Sequence, residues 1–233
     1  QMCIRDSSRG LVLLDSDIDS YLRKIAMRNC QIQIHAIGDR GNQMVLNAYE
    51  KAYKDFPKKD LRWRIEHAQN VIEADRKRFK DLNIIASMQP SHAIGDLHFA
   101  EDRLGFERLS NAYTWKSFID DGVIVVGGSD APVEVGDPII EFYAAVTRKD
   151  LDGYSNEGWN LQQALSREEA LAIFTKWPAY AIFKEDKLGT LEIGKLADIT
   201  IFNQDIMTIP NEDILATKVV MTVVGGKIVY ING

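Results

Sequence analysis

The chain has 233 residues, 45% of them apolar, enough for one domain with a sizeable core plus an appendage. A net charge of −6, with Lys and Arg scattered over solvated faces, argues against nucleic acid as a partner. No apolar run nears the roughly 20 residues that span a bilayer. The only cysteines, Cys3 and Cys30, form neither a disulfide framework nor a CxxC metal site, so a cytoplasmic setting is expected.

The opening Gln1-Met2-Cys3-Ile4-Arg5-Asp6-Ser7 has no basic stretch followed by an apolar core, so it does not read as a secretory leader; residues 1–7 read as a junction segment. Residues 16–29 predict a helix, with Ser16 as cap and Ile18, Leu22, Ile25 and Ala26 on one apolar stripe. It leads into Gln31-Ile32-Gln33-Ile34-His35-Ala36-Ile37-Gly38-Asp39, an alternating run that breaks at glycine. His35 shares a strand face with Gln33 and Gln31, and Ile32 and Ile34 point the other way. A second helix follows to about residue 55, with Met44, Val45, Ala48 and Ala52 expected on its inner face.

The pattern then returns. Residues 62–67 form a strand ending on His67, residues 73–82 a charged outer helix, and residues 83–88 a third strand. Gln89-Pro90-Ser91-His92 opens a long segment to about residue 110, of the kind that shapes substrate pockets. A helix is expected over 111–120, stopped by Gly122, and a fourth strand ends on Asp130. Residues 139–147 predict a helix, and Ser166-Arg167-Glu168-Glu169 is a capping box for a last long helix. From Leu188 on, short β runs at 198–202, 218–224 and 227–231 are separated by glycines, the last two pairing across Gly225-Gly226.

On periodicity alone, His35 and His67 read equally as strand-end histidines hydrogen-bonded to their neighbours. Asp130 reads as a turn cap or as a functional carboxylate, and Asp39 as a helix N-cap or a substrate contact. Gln89 and His92 are the other substrate-side candidates, and Gly127-Gly128 is weighed as a phosphate cradle.

Four phrases carry a family resemblance: His35-Ala36-Ile37-Gly38-Asp39, Arg64-Ile65-Glu66-His67-Ala68-Gln69, Gly128-Ser129-Asp130-Ala131-Pro132, and Gly189-Thr190-Leu191-Glu192-Ile193-Gly194-Lys195-Leu196-Ala197-Asp198. Together they resemble family 3 of the amidohydrolase superfamily, which includes enzymes similar to N-substituted formamide deformylase. The resemblance implies an α/β fold, the carboxyl-terminal half of a (β/α)8 metallo-hydrolase barrel over residues 8–185, followed by a small β-sandwich portion over 186–233. It implies a divalent metal, usually zinc, with His35, His67 and Asp130 as ligands and Asp130 also taking a proton from the attacking water. The first-strand His-x-His pair of such proteins does not occur in this sequence.

The expected activity is metal-dependent hydrolysis of a non-peptide carbon–nitrogen bond in a small amide, formamide or cyclic amide. A catalytically silent half-barrel is the alternative from another class, its open edge strands allowing a homo-oligomer. A barrel isomerase or lyase acting on a phosphate-bearing substrate is the third reading.

Overall fold

The computed structural model describes residues 18–57, 60–155 and 157–232. The chain divides into two compact units. The first comprises residues through Met88 together with Asp96–Val125, and the second comprises Gln89–Gly95 and Val126 onward.

The first unit alternates helices with short parallel strands: α1 (Ile18–Met27), β1 (Gln33–Ala36), α2 (Asp39–Asp55), β2 (Arg64–His67), α3 (Glu73–Asp81) and β3 (Ile85–Met88). β1 pairs in parallel with β2, and β2 with β3. The Ala86 N–H donates to the Ile124 carbonyl at 3.0 Å where the chain enters β4 (Val125–Gly127), giving the order β1-β2-β3-β4. Strands met in sequence order with a helix between each pair are what alternating short apolar runs and amphipathic stretches dictate.

α2 shows how the helices are seated. Its buried stripe is Asn42, Val45, Leu46, Ala48, Tyr49 and Ala52. Met44, expected on this face, is exposed instead, because Val45 and Leu46 hold the centre of the stripe and turn position 44 outward. The Tyr49 hydroxyl donates to the Arg64 carbonyl at 2.8 Å and its ring packs 4.9 Å from that of Trp63. Trp63 Nε1–H in turn donates to the Cys30 carbonyl at 3.0 Å. Each buried aromatic thus contributes apolar area while its polar tip finds a backbone partner.

Some expected boundaries shift. The Ser16 cap lies outside the described residues. The helix expected from residue 111 begins at Trp115 as α7 (Trp115–Asp120), because residues 111–113 are stitched to the chain after β2. Val71 N–H donates to Asn111 O at 3.0 Å, Tyr113 N–H to Gln69 O at 2.7 Å, and Asn70 bridges Ala112. Those backbone groups are therefore unavailable to a helix. The long segment after β3 is not irregular but folds into α4 (Pro90–Asp96), α5 (Ala100–Leu104) and α6 (Phe106–Leu109).

In the second unit, α8 (Pro138–Thr147) starts on Asp137, whose carboxylate accepts from Ile139 N–H, with Pro138 at the first helical position. The Ser166–Glu169 capping box forms, but the helix it starts is short: α9 (Arg167–Phe174) gives way at Thr175 to α10 (Lys176–Ala181). Pro178 explains the break, since it has no N–H for the Phe174 carbonyl four residues back and its ring crowds that turn. A three-stranded antiparallel sheet closes the chain, with β5 (Ile199–Phe202), β6 (Val219–Val224) and β7 (Lys227–Ile231) in that order and Gly225-Gly226 in the turn. Among the described residues no helix is long and apolar enough to cross a membrane.

Candidate functional site

His35 and His67 are brought together at the carboxyl ends of β1 and β2. Their ring centroids lie 4.4 Å apart, with planes at 75° in an edge-to-face arrangement. Strand register alone would not do this. His35 stands opposite Glu66, and His67 opposite Ala36, so a continued pleat would send the two rings to opposite faces. The pleat ends at His67, where the backbone turns left-handed (φ 74°), followed by Ala68 (φ 42°). Two consecutive non-glycine residues in that region hold strain of order 1–3 kcal/mol each, kept only where the surroundings fix them.

Those surroundings are polar and buried. The side-chain amide of Asn42, fully buried in the first turn of α2, faces the carbonyls of Ala36 (3.2 Å), Ile37 (3.2 Å) and Gly38 (2.9 Å) beyond His35, and that of Asn70 (3.4 Å) beyond His67. Asn70 N–H donates to the Ile37 carbonyl at 2.9 Å. One position further back, Gln69 Nε2 donates to the Tyr113 hydroxyl at 2.5 Å and to Asp96 Oδ2 at 3.3 Å, and the Tyr113 hydroxyl donates to the same Asp96 oxygen. Burial raises the Asp96 pKa, opposed by these hydrogen bonds. On the other side Ser87 Oγ–H donates to Glu66 at 2.9 Å. His35 itself is exposed and His67 buried.

The second unit holds the other candidates. Asp130 sits at φ 58°, its carbonyl accepting from Val133 N–H at 2.8 Å and its side chain partly exposed. His92 lies not on an irregular loop but on α4. Its Nε2 is 3.9 Å from Asp130 Oδ2 and 3.7 Å from Glu134 Oε1, so two carboxylates flank one imidazole just outside hydrogen-bond distance. Ser91 N–H, in the first turn of α4, donates to Glu141 Oε2 at 3.0 Å. Burial raises the Glu141 pKa, the Ser91 hydrogen bonds oppose that, and the charge of Glu134 adds to it. Gln89 is buried where α4 begins. Asp39 is not the N-cap of α2: Gly38 holds that position, and Asp39 Oδ1 accepts from the next backbone N–H, Arg40, at 2.7 Å.

Gly127, the last residue of β4, has a packing cause. A Cβ on Gly127 would come 2.4 Å from Phe174 Cε1, so this residue admits an aromatic ring. Nothing about it calls for a phosphate.

Two adjacent imidazoles at strand ends fit part of a divalent-metal ligand set, offering neutral nitrogen donors of the kind zinc and its neighbours accept. Among the described residues no group of three His, Cys, Asp or Glu is arranged to hold a metal, so the pair supplies two donors and no more. Sequence reasoning had found the imidazoles but missed Asn42, Glu134 and Glu141. The signal for Asn42 was a lone amide on the otherwise apolar stripe of α2.

Comparisons with known proteins agree with the sequence phrases. The chain is 32% identical over 225 residues to the putative amidohydrolase YtcJ of Bacillus subtilis, covering 96% of this chain and 42% of that protein. It is 26% identical over 220 residues to the N-substituted formamide deformylase of Arthrobacter pascens, covering 92% of this chain and 39% of that protein. An uncharacterized metal-dependent hydrolase from Pyrococcus horikoshii superposes with a TM-score of 0.72 at 27% identity, covering 88% of this chain and 40% of the other. The chain thus spans about two fifths of the length of the curated relatives it matches. The sequence profile of the Amidohydrolase family matches residues 9–230, and the chain belongs to that family.

Proposed function

We propose that this chain carries part of the active site of a metal-dependent hydrolase of carbon–nitrogen bonds, and that the His35–His67 pair is its ligand core. The edge-to-face imidazole pair at two adjacent strand ends carries this reading. Residues 8–185 are taken as the second half of a (β/α)8 barrel and 186–233 as a portion of a small β-sandwich. Four strands in sequence order with helices between them, the first three paired in parallel, support the first assignment, and the antiparallel sheet supports the second.

In this reading His35 and His67 hold a divalent cation, zinc by the family resemblance, through one ring nitrogen each. When bound, the ion supplies Lewis acidity towards the scissile carbonyl and brings deprotonation of water towards neutral pH. Asp130, by its place in the Gly128-Ser129-Asp130-Ala131-Pro132 phrase, is a further ligand. It also receives the water's proton on a carboxylate oxygen and returns it to the departing nitrogen. Gln89, His92 and Asp39 are the groups assigned to the substrate side, His92 Nε2 lying 3.9 Å from Asp130 Oδ2. The substrate class is a small amide, formamide or cyclic amide, in line with the name of the Arthrobacter relative.

The test is elemental analysis of the purified full-length protein together with turnover on a panel of N-formyl and cyclic amides. His35→Ala/His67→Ala is expected to lose the metal. Asp130→Asn is expected to lower kcat by about 10²-fold or more, with little change in KM. Unchanged metal content in the double variant, or undiminished kcat in Asp130→Asn, would overturn the assignment.

A further inference from the structure

The imidazole pair depends on how far apart the exits of β1 and β2 are held, and one side chain touches both. Asn42 comes from a helix, is fully buried, and presents its Nδ2 to three carbonyls directly after His35 and to one three residues after His67. An amide nitrogen has two protons, so it cannot satisfy four carbonyls fully at once. It acts as a shared clip that penalises separation of either strand exit. The Asn70 N–H to Ile37 carbonyl bond is the backbone counterpart of the same clip. Asn42 Oδ1 is buried with no hydrogen-bond partner among the described residues. Leaving an oxygen in that state is unfavourable. The position therefore favours the amide for its donor, not for general polarity.

We propose that Asn42 is a positioning residue for the metal-ligand pair, setting the separation of His35 and His67 through the exits of β1 and β2. The inference rests on the reading of those histidines as ligands, but its geometric core stands without a metal. Removing the donor frees the Ala36–His67 end of the ladder, so that the left-handed turn at His67 and Ala68 relaxes and the His67 ring leaves that of His35, while the pairings from Gln33 with Arg64 to His35 with Glu66 keep their register.

The experiment uses the full-length protein with selectively labelled histidine and Co²⁺ as probe. Asn42→Ala is compared with Asn42→Ser, which keeps one donor. It is also compared with Leu22→Ala, a large-to-small change in the core of the same unit at a residue that makes none of the clip's hydrogen bonds. Asn42→Ala is expected to lose the ring-to-ring NOE between His35 and His67 in the metal-free protein. It is also expected to weaken Co²⁺ binding at least tenfold with an altered visible spectrum, with Asn42→Ser between it and wild type. Leu22→Ala is expected to melt lower yet keep the NOE and the cobalt spectrum. If Asn42→Ala does not fold, Asn42→Ser carries the same comparison. An unchanged NOE and spectrum in the Asn42 variants, or equal losses in Leu22→Ala, would overturn the proposal. Should the wild type bind no cobalt, the ligand reading fails by itself, and the NOE alone decides the role of Asn42.

Discussion

Glu141 has only 2% of its surface exposed and receives one backbone hydrogen bond from α4, so its charge is held where water would hold it better. Its folded pKa is raised above 4.5, first by burial. A raised carboxylate pKa means the folded state binds the proton more tightly than the unfolded chain does. Its stabilising contribution is therefore complete below about pH 4.5 and is lost as the pH climbs through the folded value. Glu141→Gln keeps an acceptor for Ser91 N–H and removes the titration. Its melting temperature should match wild type in acid and exceed it increasingly towards neutrality. A gap that stays constant between about pH 4 and about pH 8 would show that the charge is not the cause. Asp96, also raised by burial, has the same sign. At this scale the sequence exposed the histidines, because a histidine ending an alternating run stands out. It hid their partners: nothing in His67-Ala68 announces a left-handed turn, and Glu134 and Glu141 look like ordinary surface acids until α4 packs beside them.

The elements of the second unit are fixed by a few local devices whose strength can be measured. Ser166 and Glu169 satisfy each other's backbone N–H groups at the start of α9. Ser166→Ala should cost about 1 kcal/mol in chemical denaturation, and adding Glu169→Ala should cost less than the sum of the single changes. At the other end of α9, Phe174 occupies the space above Gly127 on β4. Gly127→Ala should therefore destabilise by about 1–3 kcal/mol through overpacking, and Phe174→Leu should recover part of that loss. A Gly127→Ala protein as stable as wild type would reopen a ligand role for the glycine pair. The order and type of these elements were legible because period and caps agree. Boundaries failed where a distant chain took the hydrogen bonds, as at residues 111–113. The same happened where a single proline outweighed a helical pattern, as at Pro178.

For the whole molecule, the two compact units differ in how completely they bury their apolar surface. In the first, Trp63, Trp115, Phe79, Phe118 and Tyr49 are all fully buried or nearly so. In the second, β7 has every residue exposed, including Ile228, Val229, Tyr230 and Ile231, although its composition is that of a strand covered on both faces. Val224 on β6 and Ile201 on β5 extend the apolar area. Among the described residues β7 is also an edge strand, with β6 on one side and no strand on the other. A long apolar edge of this kind is a site for association. The 233-residue chain, expressed by itself, should bind a hydrophobic dye and sediment in a concentration-dependent way. Val229→Lys/Ile231→Lys places two charges on β7 and should suppress both effects without changing the far-ultraviolet spectrum. Monomeric, dye-free behaviour of the unmodified chain would mean that this sheet tolerates its exposure. Association that survives the two lysines would move its origin away from β7.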